Sequence, residues 1–142
     1  MEINQRNATR NQSTVDYSTS KLFIFDNRYK EGTYINSTAG VQTHERGTLM
    51  VRDAQGRLTN ATAENLADIV GVSAFEGKIE ATASQSFIIN ICTKGTIDGT
   101  LLKLPATITL QTVVGDKLLT DVLEDLGLHV DTSAKQNTKF DN

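Results

Sequence analysis

The clearest structural signal in the chain is the stretch Phe87-Ile88-Ile89-Asn90-Ile91-Cys92-Thr93-Lys94. Side chains on a β-strand alternate between two faces, so one face of this stretch is wholly apolar (Phe87, Ile89, Ile91) and the other is mixed. The pattern predicts a strand that buries its apolar face and ends at Gly95.

Shorter β-prone runs lie on both sides of this strand. We predict strands at residues 22–25, 33–36, 47–52, 57–59, 69–72, 101–104 and 107–112. The first of these is stopped by Asp26-Asn27, and the last points Ile108 and Leu110 inward. Residues 53–56 begin with Asp and end with Gly, which favours a type I turn and therefore a hairpin.

One amphipathic helix is predicted over residues 116–126. Its apolar stripe follows helical spacing and consists of Leu118, Leu119, Val122, Leu123 and Leu126. Asp116 is the expected N-cap, and Gly127 stands where a left-handed C-cap is expected. A helical turn over residues 62–68, capped by Thr62, is the only other helical feature we expect.

The composition favours a single β-rich domain. The chain has 142 residues, of which 38% are hydrophobic, and it contains 19 Thr, a residue that suits pleated surfaces. We therefore predict a mainly β (α+β) fold over residues 21–142: a small β-barrel or β-sandwich with one C-terminal helix, followed by a polar tail.

Residues 1–20 form a segment of different composition. Eleven of them are Asn, Gln, Ser or Thr. Such a stretch buries too little apolar surface to offset an ordering entropy of about 1–2 kcal/mol per residue, so alone it should be flexible. It is either a frayed terminus or an arm that orders on a partner, and its candidate contact residues are Ile3, Arg6, Arg10, Val15 and Tyr17.

Charge and hydropathy exclude several classes of partner. The net charge is −3, and Lys and Arg do not cluster, so we expect no nucleic-acid partner. No apolar run approaches the roughly 20 residues that span a bilayer, so we expect no membrane partner. Residues 1–6 lack the apolar region of a secretory leader, which predicts synthesis in the cytoplasm.

The sequence offers little chemistry. His44 lies in a polar stretch that we interpret as a loop, and His129 follows the predicted helix. Cys92 is the only cysteine, which excludes an intrachain disulfide and a Cys-based zinc site. The glycines form neither a dinucleotide fingerprint nor a phosphate loop. We therefore predict no catalytic residues, no cofactor and no metal, in a protein that is not an enzyme.

Several short motifs resemble a known family. They are residues 69–72, the run from Phe87 to Thr96 with its Lys-x-Gly turn, the apolar run 101–105, and Gly47-Thr48-Leu49-Met50. Together these are similar to the phage head decoration (capsid-stabilising) proteins. The resemblance implies a homotrimer on three-fold or quasi-three-fold axes of a capsid, held largely by an N-terminal arm. Residues 107–142 and the Asn/Gln-rich segment 1–20 depart from the smallest family members.

The expected function is that of a structural virion protein on the outer capsid surface, with the major capsid protein and further copies of the chain as partners. Leu101, Leu102 and Leu104 are the candidate trimer interface, because together with the Leu stripe of the predicted helix 116–126 they give more apolar surface than a lean barrel needs. A host-surface or carbohydrate-binding β module of a fibre or tail is the alternative. A small hydrolase is disfavoured because no base stands beside a nucleophile in the sequence.

Overall fold

The computed structural model describes residues 21–132, and these are built mainly of β-strands. The strands are β1 (Phe23–Ile35), β2 (Gln42–Glu45), β3 (Leu49–Arg52), β4 (Leu58–Asn60), β5 (Gly71–Ser73), β6 (Lys78–Ala81), β7 (Ser86–Asp98), β8 (Val113–Val114), β9 (Lys117–Leu118) and β10 (Leu128–Asp131). One α-helix, α1 (Leu119–Leu126), and 3₁₀ turns at Leu66–Asp68 and Gly99–Leu101 complete the described elements. The predicted arm, residues 1–20, and most of the predicted tail, residues 133–142, lie outside this range.

Five strands close into a ring. β3 pairs antiparallel with β4 and β5, and β5 pairs antiparallel with β7. β1 then pairs antiparallel with β7 along most of its length and meets β4 in parallel at Tyr34 and Leu58. β10 runs parallel to β7 beside the ring. The predicted mainly β fold, a small barrel with one helix, is confirmed.

The two faces of this sheet bury two separate clusters. The inner cluster has members from four strands of the ring and one residue of β6: Tyr34, Met50, Leu58, Ala81, Ile89 and Ile91. The outer cluster includes Leu49 and Val51, which flank Met50 and therefore face the other way. Residues from 61–69 and from 102–128 cover that outer face, and Leu119 and Leu123 of α1 are fully buried there.

The alternation predicted for the central strand is confirmed, although the strand is longer. Ile89 and Ile91 lie in the inner cluster, whereas Cys92 lies in the outer one and Ile88 is exposed. The strand does not end at Gly95 but continues to Asp98. The two strands predicted at 22–25 and 33–36 are the two ends of one strand, β1 (Phe23–Ile35), because the break expected at Asp26-Asn27 is a bulge within it.

The hairpin between β3 and β4 is confirmed. The turn is closed by the Gly56 N–H, which donates to the Asp53 carbonyl at 3.0 Å. The Asp53 carboxylate also accepts from the backbone N–H groups of Gln55 and Arg57, and it pairs with the Arg57 guanidinium at 2.8 Å.

Two predicted strands are wrong. Residues 101–104 contain the end of a 3₁₀ turn and a single bridge from Lys103 to Thr48. Residues 107–112 form turns, because Thr109 and Thr112 use their hydroxyls to bond nearby backbone N–H groups in place of a neighbouring strand. Ile108 and Leu110 still pack against the outer cluster, so their inward orientation holds without the strand.

The helix begins at Leu119 and not at 116. Residues 117 and 118 pair instead with β8 across a turn at Gly115, whose φ is 69°. At the start of the helix the Asp121 carboxylate accepts a hydrogen bond from the Leu118 N–H at 3.3 Å. Asp116 is therefore not the N-cap. The predicted C-cap is confirmed: Gly127 has φ 117° and donates its N–H to the Leu123 and Glu124 carbonyls.

Candidate functional site

Only some of the predicted contact residues lie within residues 21–132, which the structure describes. The arm candidates Ile3, Arg6, Arg10, Val15 and Tyr17 lie outside them. Of the candidate trimer residues, Leu102 is buried in the outer cluster, whereas Leu101 and Leu104 are half-buried and pack against that cluster. All three therefore contact the core of their own chain, and their role between copies stays a prediction.

Large exposed hydrophobic side chains concentrate on the ribbon formed by β1 and β7. Among residues 21–132 they are Ile24, Phe25, Tyr29, Val41, Ile88 and Val113, and four of these six lie on the ribbon. Tyr29 is held in place by Phe23, whose ring it meets edge-on with centroids 5.6 Å apart. The Arg46 guanidinium in turn lies 5.4 Å from the centre of the Phe23 ring. The ribbon thus presents a positioned aromatic side chain to solvent.

A bulge in β1 shapes the beginning of this ribbon. Asp26 adopts a left-handed backbone conformation, with φ 52°, and the pairing register with β7 shifts on both sides of it. The Asn27 amide is turned onto β7, where it donates to the Thr96 carbonyl at 3.1 Å and to the Cys92 sulfur at 3.4 Å. The Cys92 thiol is buried, and this burial raises its pKa.

Gly95 on β7 is the residue that lets the bulge approach. Its φ is 121°, a conformation that disfavours any side chain. A Cβ there would lie 2.7 Å from the Asn27 Cα and 2.8 Å from the Asp26 carbonyl oxygen, which is closer than atoms can pack. The bulge and this glycine therefore form one unit.

An open groove of about 430 Å³ lies over this unit. It is lined by Phe25, Asp26, Arg28, Lys94, Gly95, Thr96, Gly127 and His129. Arg28 and Lys94 are directly opposite each other in the β1–β7 pairing, and both are exposed. Within the described residues neither has an ion-pair partner. Like charges placed opposite each other on neighbouring strands reduce stability, so these two charges do not stabilise the fold.

Three further residues of the groove lie in a row across neighbouring strands. Phe25 of β1 is opposite Thr96 of β7, and Thr96 is opposite His129 of β10. Phe25 is 71% exposed, so its ring is open to a ligand. The His129 imidazole lies 3.4 Å from the Glu124 carboxylate. The groove therefore combines two cationic groups, one carboxylate (Asp26) and one exposed aromatic ring.

His44 does not lie in a loop, which corrects the interpretation from sequence. It belongs to β2 and is fully buried. The rings of Tyr34, Phe75 and Phe87 surround it, with centroids 4.4, 5.4 and 6.0 Å away. Burial lowers the pKa of its imidazole below the ordinary 6.5.

Two polar side chains complete the surroundings of His44. Its Nδ1 lies 3.1 Å from the Asn60 amide oxygen, and its Nε2 lies 2.9 Å from the Ser73 hydroxyl. Since Asn60 donates its own NH₂ to the Thr43 carbonyl, we infer that Nδ1 carries the proton and that Ser73 donates to Nε2. The order Ser–His–Asn matches that of nucleophilic triads, but Ser73 and His44 are both 0% exposed, so no substrate reaches them.

Residues 21–132 contain no group of three or more His, Cys, Asp or Glu side chains that could hold a metal ion. In that range there is also no helix that is both long and apolar enough to cross a membrane.

Comparison with known proteins adds no relative: no family model matches the chain, and no curated protein matches it either.

Proposed function

We propose that this chain is a structural virion protein that binds the outer surface of a phage capsid as a homotrimer and stabilises the shell. The observation that carries the proposal is the set of exposed apolar side chains on the β1–β7 ribbon, which begins at Phe23, close behind the Asn/Gln-rich segment 1–20. An arm and an apolar ribbon that are continuous in sequence form one extended contact surface for a protein partner.

The ribbon supplies the rigid part of this surface. Ile24, Tyr29 and Ile88 are 40%, 51% and 65% exposed. Their backbone is fixed, because β1 and β7 are each 13 residues long and pair over most of that length. Aromatic side chains held in one position lose little entropy on binding and often dominate the affinity of an interface. Tyr29, held by Phe23, is the expected anchor.

The arm supplies the extended part. Fully extended at about 3.3 Å per residue, the segment 1–20 reaches roughly 65 Å, which is enough to cross from one capsid subunit to the next. Strand addition to a sheet edge of the capsid protein provides backbone hydrogen bonds that offset the entropy of ordering the arm. Three arms in one trimer multiply modest contacts through their effective concentration.

The test is co-sedimentation of the full-length chain with empty capsids, combined with light scattering to measure its mass. We expect a trimer in solution or on the capsid, and binding that falls about tenfold in the double variant Ile24→Ser, Tyr29→Ser. Val113→Ser is the matched control, because Val113 is 64% exposed but lies in β8, away from the ribbon. Equal binding by the double variant and the control contradicts the role of the ribbon, and no binding by the full-length chain contradicts the function.

A further inference from the structure

The groove over the β1 bulge has a feature that the proposed function does not use. Arg28 and Lys94 stand opposite each other without an ion-pair partner in the described residues, although a cross-strand pair of like charges costs stability. An anion placed between them would convert that repulsion into two charge-assisted hydrogen bonds. We propose that this groove binds an acidic saccharide, with its carboxylate on Arg28 and Lys94 and one face of its sugar ring on Phe25.

The composition of the groove favours a sugar with one carboxylate over a polyanion. Asp26 lines the same groove, and Glu124 lies beside His129 at its far side. The Asp26 carboxylate within the groove and the Glu124 carboxylate at its far side repel a chain of phosphates or a run of acidic residues. A saccharide instead carries several hydroxyl groups, which donate hydrogen bonds to Asp26 while its single carboxylate faces the cations.

The aromatic side chain fits the same ligand. Phe25 is 71% exposed at the end of the row that contains Thr96 and His129. The C–H groups on one face of a sugar ring provide an apolar surface for such an exposed ring, and the Thr96 hydroxyl beside it offers a further polar partner. A volume of about 430 Å³ lies within the range of small-molecule sites.

The groove is also held in shape before any ligand arrives. Asn27 ties the bulge to β7 through the Thr96 carbonyl, and Gly95 allows the two backbones to meet. The Gly95 N–H donates to the Gly127 carbonyl at 3.1 Å, which fixes the end of α1 on the same side. A site on paired strands holds its polar groups in place, so less of the binding energy is lost to ordering.

The experiment is calorimetric titration of the full-length chain with galacturonic acid, a sugar that carries one carboxylate. The matched probe is its methyl ester, which keeps the sugar ring and loses the charge. We expect the acid to bind and the ester to bind at least about tenfold more weakly, with the affinity for the acid falling as salt rises. No heat of binding at up to about 10 mM acid, or equal affinity for acid and ester, overturns the proposal.

Variants locate the binding in the groove. Arg28→Gln, Lys94→Gln and Phe25→Ser should each weaken binding of the acid about tenfold. Lys78→Gln is the control, because it removes an equal charge from β6, where Lys78 is opposite Glu45. Lys94→Gln should melt no lower than the parent, since it removes a like-charge pair, so loss of binding cannot be attributed to unfolding. Unchanged binding in Lys94→Gln, or equal affinity for a glutamate-rich peptide, overturns the proposal.

Discussion

His44 couples the stability of the barrel to pH. Its imidazole is enclosed by three aromatic rings and hydrogen-bonded at both nitrogens, and burial lowers its pKa below 6.5 in the folded state. In the unfolded chain the pKa returns to about 6.5. Below that pH the unfolded state takes up a proton that the folded state does not, so acid favours unfolding.

We therefore expect the free energy of unfolding to fall as the pH drops below about 6.5, with a contribution of at most about 1.4 kcal/mol per pH unit from this residue. Above that pH the contribution is constant. Urea unfolding at a series of pH values, in the parent and in His44→Gln, measures it. The variant should lose this part of the slope, whereas His129→Gln, which removes an exposed imidazole, should keep it. If the free energy of unfolding depends on pH to the same extent in all three proteins, His44 is not the residue responsible.

The burial of His44 was not predictable from its neighbours in sequence. Gln42, Thr43 and Glu45 are all polar, so the stretch is typical of a loop. The groups that bury the histidine come from distant elements, Tyr34 from β1 and Phe87 from β7. The composition around residue 44 does not indicate these contacts. The juxtaposition of Arg28 and Lys94 was not predictable from local sequence either, because it depends on the pairing register of β1 and β7.

At the scale of elements, the bulge in β1 and the glycine opposite it act as one unit. Gly95→Ala adds a Cβ at 2.7 Å from the Asn27 Cα in a backbone conformation that already disfavours it. The left-handed conformation alone costs about 1–2 kcal/mol for a residue with a side chain. The clash with backbone atoms adds to this, so we expect a total loss of about 3 kcal/mol or more.

Gly56→Ala is the matched control for this prediction. Gly56 also has a positive φ, 83°, but a Cβ there would meet nothing within 4 Å. It should therefore cost only the conformational part, about 1–2 kcal/mol. Thermal and urea unfolding of both variants measures the difference. Equal losses would mean that the close approach of the bulge to β7 contributes nothing.

Periodicity predicted an element correctly only where a partner elsewhere in the fold pairs with it. The alternation of Phe87, Ile89 and Ile91 predicted a correct strand and a correct buried face. The alternation within residues 107–112 is as regular, yet no neighbouring strand in the described part of the chain pairs with it, and the Thr hydroxyls bond the backbone locally. The predicted helix began too early because Leu118, which matches its stripe, pairs with β8 instead.

At the scale of the whole molecule, 38% hydrophobic residues are enough to form a buried core because one sheet buries both of its faces. The inner cluster fills the ring, and the outer cluster is covered by residues 61–69 and by the segment that ends in α1 and β10. Every buried hydrophobic residue in the described part of the chain lies between Leu22 and Leu128. Strands β3 and β7 contribute residues to both clusters, so the same few strands supply both cores.

Because segment 1–20 has too few apolar side chains to fold by itself, deleting residues 1–18 should leave the thermal midpoint nearly unchanged, while most of the affinity for capsids is lost. Calorimetry measures the first effect, and co-sedimentation with empty capsids across a salt series measures the second.

A full-length variant with Ile3, Val15 and Tyr17 changed to Ser, and Arg6 and Arg10 changed to Gln, separates the side chains of the arm from its backbone. If strand addition supplies the affinity, this variant retains part of the binding that the deletion loses, because its backbone hydrogen bonds remain. If the deleted chain binds as well as the parent, the arm is only a frayed terminus and the barrel surface alone holds the capsid.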